Sequence, residues 1–208
     1  MKKSKRVKKS NSWKIKQHRD QFFKKSKTLG YRSRASFKLI ELNQKFNFIK
    51  KNSNLLDLGA YPGGWSQVVS HIITNGKILA IDIKEMKPVK NVKFLKNDFM
   101  NKNSKVEIMT YFNKNLDVII SDMAADTTGN KSLDSIRTNQ LCADAINFAK
   151  KTLKPKGVFV SKLFMGEDFI EVKNLAKSVF KKVNFFKPES SRSESKETYL
   201  HCEILKSL

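Results

Sequence analysis

Acidic residues are scarce in this chain. Lys and Arg number 42 against 19 Asp and Glu, for a formal net charge of +23 at pH 7. Such an excess points to a polyanionic partner, with nucleic acid the first candidate and an anionic membrane surface the rival. Long apolar runs are missing, so no segment is expected to span a bilayer. The basic N-terminus lacks the apolar core of a secretory signal, and a cytoplasmic setting is expected. Cysteine is limited to Cys142 and Cys202, each within an apolar pattern. They are expected as reduced core residues, not as a bridge or a metal pair. His18, His71 and His201 are scattered without metal-ligand spacing, and no metal is expected. Neither a G-x-G-x-x-G fingerprint nor a G-x-x-x-x-G-K-[ST] loop occurs, which weakens the case for dinucleotides and ATP.

What is present centres on Asn54-Leu-Leu-Asp-Leu-Gly-Ala-Tyr-Pro-Gly-Gly-Trp65. A short apolar run breaks at Gly59, Pro62, Gly63 and Gly64, and Val68, Val69, Ile72 and Ile73 then recur at helical spacing. The pattern predicts a strand, a tight glycine turn and a helix. Such a turn lets the backbone approach a ligand, and the helix N-terminus offers free N–H groups. Lys77 to Ile83 reads as a second strand carrying Asp82, about 20 residues beyond the turn, where an acid commonly holds ribose hydroxyls. A generic α/β turn with a strand-end Asp is the plainer alternative. With no phosphate loop in the sequence, S-adenosylmethionine is the nucleoside cofactor that remains.

The rest of the chain alternates in the same way. Residues 1–27 carry twelve cations against Asp20 alone, with Trp13, Phe22 and Phe23 interleaved. They are expected to form a flexible basic arm that binds RNA, with a merely solubilising tail as the alternative. The domain proper is expected over 28–208. Ser33 is the expected N-cap of a helix whose apolar face carries Ala35, Leu39, Leu42 and Phe46, with Lys38 beside that face. Val92 to Leu95 suggests a third strand ending near Asp98, which either meets an adenine amino group or is a plain loop carboxylate. Leu116 to Asp122 reads as a buried strand ending on an acid. Leu133 to Leu153 reads as a long helix stopped by Pro155 and Gly157. In the next strand, Gly157 to Phe164, Lys162 interrupts an apolar run, and a buried ammonium is costly unless it has a task. A helix over 167–180 and two closing strands complete an alternating β/α sheet with an antiparallel edge.

In order and spacing, five stretches resemble the FtsJ/RrmJ-type S-adenosylmethionine-dependent RNA ribose 2′-O-methyltransferases, from about Lys27 to the C-terminus. They are Ser33-Arg-Ala-Ser-Phe-Lys-Leu39, Asp57-Leu-Gly-Ala-Tyr-Pro-Gly-Gly-Trp-Ser66, Ser121-Asp-Met-Ala124, Ser161-Lys-Leu-Phe-Met-Gly166, and Pro188-Glu-Ser-Ser-Arg192 leading to Glu197-Thr-Tyr199. The resemblance implies a Rossmann-like methyltransferase fold: a mostly parallel seven-stranded sheet with one antiparallel strand and helices on both faces. It implies a catalytic set of Lys38, Asp122, Lys162 and Glu197, with Lys162 central. It implies cofactor contacts at Gly63, Trp65, Asp82, Asp98 and Asp122. The size is most similar to the bacterial branch, which methylates a uridine ribose in the A-loop of 23S rRNA within the large subunit. A monomer is expected. Relatives that act on tRNA or mRNA caps, and a non-catalytic ribosome-assembly protein of the same fold, are the alternatives. Two positions depart from the family pattern. Tyr61 replaces a small residue or Pro, and Ala125-Asp126 stands where Pro-Asn would be common.

Methyl transfer to a ribose oxygen needs in-line approach and a way to handle a weakly acidic hydroxyl. Lys162 fits two roles: a neutral amine acting as general base, or an ammonium that orients the oxygen and stabilises its growing charge. The sequence leaves both open.

Overall fold

The computed structural model describes residues 20–113 and 116–206. A seven-stranded sheet runs in the order β3-β2-β1-β4-β5-β7-β6. The strands are β1 (Leu55–Leu58), β2 (Ile78–Asp82), β3 (Lys93–Lys96), β4 (Leu116–Ser121), β5 (Leu153–Phe164), β6 (Phe180–Phe186) and β7 (Glu197–Leu205). All neighbouring pairs from β3 to β5 are parallel, and β7 runs antiparallel to both β5 and β6. The antiparallel strand is therefore inserted beside β5, and β6 takes the edge. This is the Rossmann-like arrangement that the resemblance implied, and the order reverses beside β1 and β4, where open α/β sheets place their ligands.

The helices are α1 (Gln21–Thr28), α2 (Ala35–Phe46), α3 (Gly64–Ile72), α4 (Lys102–Phe112), α5 (Lys131–Thr152) and α6 (Phe169–Val179). Parallel strands covered on both faces must be apolar throughout, and β1 and β4 are almost entirely buried. On one face Ile108, Phe112, Cys142, Ile146, Ala176 and Phe180 pack against Leu56, Ile119 and Phe159. On the other, Leu39, Leu42, Trp65 and Val69 pack against Leu55, Ile120, Val160 and Tyr199. Cys142 and Cys202 are free and buried, as expected of core residues. Burial pushes the Cys142 thiol up to about 12.

Several boundaries differ from the sequence reading. Residues 21–27 of the expected arm lie in α1, whose N-cap Asp20 accepts from the N–H groups of Phe22 and Phe23 at 3.1 Å. The same carboxylate pairs with Arg34 ahead of α2, so this segment belongs to the folded body. Residues 1–19 lie outside those described. Ser33 does not cap α2, which opens at Ala35 after an already helical Arg34. A Cβ on Gly64 would come within 2.3 Å of the Ser33 hydroxyl, and Ser36 donates to the Gly64 carbonyl at 3.0 Å, so these serines serve the contact with α3 instead. Pro155 and Gly157 do not separate α5 from its strand. The chain passes into β5 at Leu153, and the two residues sit in an irregular stretch opposite Leu116 and Val118. Helix α4 has too weak an apolar face to stand out in the sequence; its ends are set by Asn101, capping Asn103 N–H, and by Asn113 in the left-handed region.

Candidate active site

The parallel strands deliver their C-terminal ends to one edge of the sheet, and the expected catalytic residues converge there. Asp122 follows β4, Lys162 lies in β5, and Glu197 opens β7. Ser121 pairs with Ser161, and Lys162 faces Tyr199 across the ladder. Lys162 Nζ lies 2.6 Å from Asp122 Oδ1 and donates to the Asp122 backbone carbonyl at 2.9 Å. Lys38 reaches in from α2 and pairs with Glu197 Oε1 at 2.6 Å. Lys38, Lys162 and Glu197 are each only 8% exposed, so two ion pairs stand side by side with little water around them.

A fifth residue completes the cluster, and the sequence reading did not assign it a role. Tyr199 Oη donates to Asp122 Oδ1 at 2.6 Å, and Lys38 Nζ stands 5.7 Å from its ring centroid. Its signal was its place two residues after Glu197, on the same face of β7. Burial raises the Tyr199 hydroxyl well above its ordinary value, helped by the neighbouring Asp122 and Glu197 charges, so it remains a donor. Burial also pushes the Asp122 carboxyl upward. The Lys162 and Lys38 charges, with hydrogen bonds from Lys162 and Tyr199, outweigh it and hold Asp122 below the usual carboxylate range. Glu197 follows the same balance, with Lys38 and Lys162 overcoming burial. Both acids are therefore anions at neutral pH, facing two lysines in a confined space.

Next to this cluster lies a cleft of about 760 Å³, of a size that takes a nucleoside-bearing cofactor. Asp82, Asp98 and Asp122 line it together with Gly59, Tyr61, Ile81, Ile83, Asn97, Phe99, Met123 and Leu141. Asp122 thus belongs to both the cleft and the cluster of paired charges. Gly59 has φ +71°, and a Cβ there would lie 2.3 Å from Met123 Cγ, so only glycine lets β1 turn this close to the wall. Each Asp82 oxygen accepts one backbone N–H, Tyr61 at 2.9 Å and Lys84 at 2.7 Å. The carboxylate is thereby fixed while keeping lone pairs for a diol. Asp98 accepts from Met100 N–H at 2.9 Å and lines the same wall.

Two expected cofactor residues sit elsewhere. Gly63 and Trp65 do not line the cleft with their side positions. Trp65 is 3% exposed, donates through Nε1 to the Ala35 carbonyl at 2.8 Å and packs 5.7 Å from the Tyr199 ring. Gly63, at φ 103°, is the N-cap of α3, and a Cβ on it would strike Arg32 Nη1 at 2.6 Å and Met86 Sδ at 2.9 Å. What these residues offer is backbone. No side chain caps α3, so its first N–H groups are available to an anionic group such as the methionine carboxylate. The donor set as a whole fits S-adenosylmethionine: acids for a ribose diol and an ammonium, apolar walls for a purine, and an open helix N-terminus.

Another acid that the sequence reading quoted but did not place is Asp57 in β1. It is 1% exposed and accepts from Ser66 Oγ at 2.7 Å, tying β1 to the first turn of α3. Burial raises it to about 7, against the Ser66 hydrogen bond, with Asp122 and Asp82 adding to the rise.

Comparison with known proteins agrees with this geometry. The model of the FtsJ-like methyltransferase family matches residues 31–204. A Pelagibacter ubique (strain HTCC1062) protein named ribosomal RNA large subunit methyltransferase E is 44% identical over 197 residues, covering 95% of this chain and 97% of its own. The protein of that name from Rickettsia akari (strain Hartford) is 45% identical over 202 residues, covering 94% of this chain and 89% of its own. The crystal structure of a Plasmodium falciparum ribosomal RNA methyltransferase superposes with a TM-score of 0.76 at 34% identity, covering 84% of this chain and 98% of that one. The matched span runs through the glycine turn, the three acids of the cleft and both ion pairs, and the chain belongs to the FtsJ-like methyltransferase family, as an S-adenosylmethionine-dependent enzyme.

Proposed function

We propose that this enzyme methylates a ribose 2′-hydroxyl of ribosomal RNA, and that its target is a uridine in the A-loop of 23S rRNA within the large subunit. The observation that carries the reading is the paired Lys162–Asp122 and Lys38–Glu197 set abutting a nucleoside-sized cleft through Asp122. The names of the relatives at 44% and 45% identity support ribosomal RNA of the large subunit as substrate. The net charge of +23 supports a polyanion. The basic residues of 1–19 serve as an arm that follows the RNA backbone. The enzyme acts as a monomer in the cytoplasm, and no helix among the described residues is long and apolar enough to cross a membrane.

S-adenosylmethionine, when bound, supplies an electrophilic methyl group on a sulfonium. Asp82 would hold the ribose hydroxyls, Asp98 the adenine edge, Asp122 the ammonium, and the N–H groups of Gly64 and Trp65 at the start of α3 the carboxylate. Lys162 has its ammonium fixed by Asp122 at 2.6 Å, which suits orientation of the 2′-oxygen and stabilisation of charge on it as its proton passes to solvent water. Lys38 and Glu197 complete the wall on the RNA side and keep the local charge balanced. Tyr199 holds the Asp122 carboxylate in place and so acts as a positioning residue. Burial of Lys38, Lys162, Glu197 and Tyr199 limits the water around them and strengthens each interaction.

The test is to map ribose methylation in cellular RNA with and without the protein, then to assay purified enzyme on intact large subunits, free 23S rRNA and tRNA. Loss of one A-loop uridine methylation, restored by the wild-type gene, is the expected result. Methylation of tRNA but not of large subunits would reject the assigned substrate.

A further inference from the structure

Three groups at the mouth of the cleft have no part in the chemistry described so far. The Tyr61 ring lines the cleft and is 51% exposed. Its backbone and that of Lys84 are fixed by the same Asp82 carboxylate. Lys84 Nζ stands 6.0 Å from the Tyr61 ring centroid and 3.6 Å from Asp126 Oδ1. Asp126 belongs to the opposite wall, in the loop between β4 and α5. Its carbonyl accepts from Arg137 Nη1 at 3.2 Å, which anchors that loop to α5. A chain of contacts from Tyr61 through Lys84 and Asp126 to Arg137 therefore crosses the mouth from wall to wall.

We infer that Tyr61, Lys84 and Asp126 form a clasp over the nucleoside half of the bound cofactor and set how long S-adenosylmethionine and its thioether product remain. Tyr61 is the direct contact: its ring covers the ribose that Asp82 holds and shields that hydrogen bond from water. The Lys84–Asp126 pair is the closure. Both side chains are more than half exposed, so the pair is weak and screened by salt. That weakness suits a closure that must open in every turnover to release product. A buried or bidentate pair at the same place would slow product release instead. The inference rests on the reading that Asp82 holds the cofactor ribose, and the test separates the two.

Dissociation of tritiated S-adenosylmethionine and S-adenosylhomocysteine is followed by pulse-chase for the wild type and for Tyr61→Ala, Tyr61→Phe, Asp126→Ala and Asp82→Ala, with the thermal midpoint of each recorded. Tyr61→Ala is expected to release both ligands about 3- to 10-fold faster, the worth of a single ring packed on a ligand. Tyr61→Phe, which keeps the ring, stays within about two-fold. Asp126→Ala releases them about 2- to 5-fold faster and removes the salt dependence of the wild-type rate. Thermal midpoints of the Tyr61 and Asp126 variants stay near wild type, since those side chains are exposed. Unchanged dissociation for Tyr61→Ala, with affinity still lowered by Asp82→Ala, overturns the clasp and leaves the cleft assignment standing. Unchanged affinity for Asp82→Ala overturns both.

Discussion

Replacing Lys162 by methionine removes one ammonium and keeps most of the side-chain volume. The geometry allows the consequences to be separated. In the wild type the ammonium touches both the Asp122 carboxylate and the Asp122 backbone carbonyl, with side-chain exposures of only 9% and 18% for the pair. Breaking a buried pair from one side costs about 3–5 kcal/mol, because the remaining charge is left uncompensated. Asp122 keeps the Tyr199 hydrogen bond and the nearby Lys38 charge, so the cost falls near the lower end, about 3 kcal/mol. A domain with stability on the order of 5–15 kcal/mol survives that loss. Turnover should fall by about 10²–10⁴, or about 3–5 kcal/mol of transition-state stabilisation. Cofactor affinity should be kept, since Lys162 does not line the cleft and the Asp122 carboxylate is left free for the ammonium. The pH dependence carries a further signature. Asp122 is held below its ordinary value when folded, so the stability it lends is present above the unfolded carboxylate pKa and is lost as pH falls through the folded value. Without Lys162, burial is opposed by less charge, the folded value rises, and the acid-dependent loss that Asp122 contributes becomes smaller and is complete at a higher pH. The measurements are single-turnover methylation of large subunits with radiolabelled cofactor, calorimetric cofactor binding, and urea denaturation across pH. Activity within a few-fold of wild type would refute the role of Lys162, and abolished cofactor binding with retained fold would make it a cofactor residue instead.

Three other perturbations have defined outcomes. Asp57 is raised to about 7 when folded, so relative to its unfolded state it favours folding least above that pH: the penalty sets in above the unfolded value near 3.8 and is complete by about 7. Asp57→Asn keeps an acceptor for Ser66 and should raise stability at pH 8 while leaving it little changed at pH 4; denaturation at the two pH values decides, and an equal effect at both would exclude titration of Asp57. His201 is fully buried, stacked 3.9 Å from the Phe46 ring, and burial lowers it to about 4, so protonation of the unfolded chain erodes stability as pH falls from 6.5 towards 4. With Glu203 Oε1 3.6 Å away, the loss should reach at most about 3 kcal/mol, and His201→Gln should flatten that limb of a stability–pH curve. Deleting residues 1–12 should leave cofactor affinity unchanged and flatten the log–log salt dependence of RNA binding by roughly 0.7–0.9 for each phosphate the arm neutralises; identical slopes would make the arm a bystander.

How much of this was legible in the sequence depended on whether the information was local. The strand–turn–helix at 55–72 and the acids at the ends of β2 and β4 follow from patterns a few residues long, and the structure places Asp82, Asp98 and Asp122 on one cleft. Lys162 stood out because an ammonium in an apolar strand needs a partner, although the partner could not be read from the strand. The catalytic set as a whole came from the resemblance, because its members arrive on α2, β4, β5 and β7 and only the sheet order brings them together. Lys38 shows the limit most clearly: beside an apolar face it reads as an ordinary solvated lysine, and it is buried only because Glu197 arrives from the far end of the chain. The same long-range closure explains why the Trp65 side chain does not line the cleft. The resemblance implied a cofactor contact at Trp65, and its side chain faces the α2 side of the sheet, against Ala35 and Tyr199. Its backbone, which carries no identity, is what remains for the ligand. The site thus divides in two. The cleft is built from strand-end acids whose positions the alternating pattern dictates, and the charge cluster is built from two ion pairs in which each buried charge is offset by its partner. A variant that removes one of these charges therefore perturbs stability and activity together, and the two effects separate only when stability is measured beside activity.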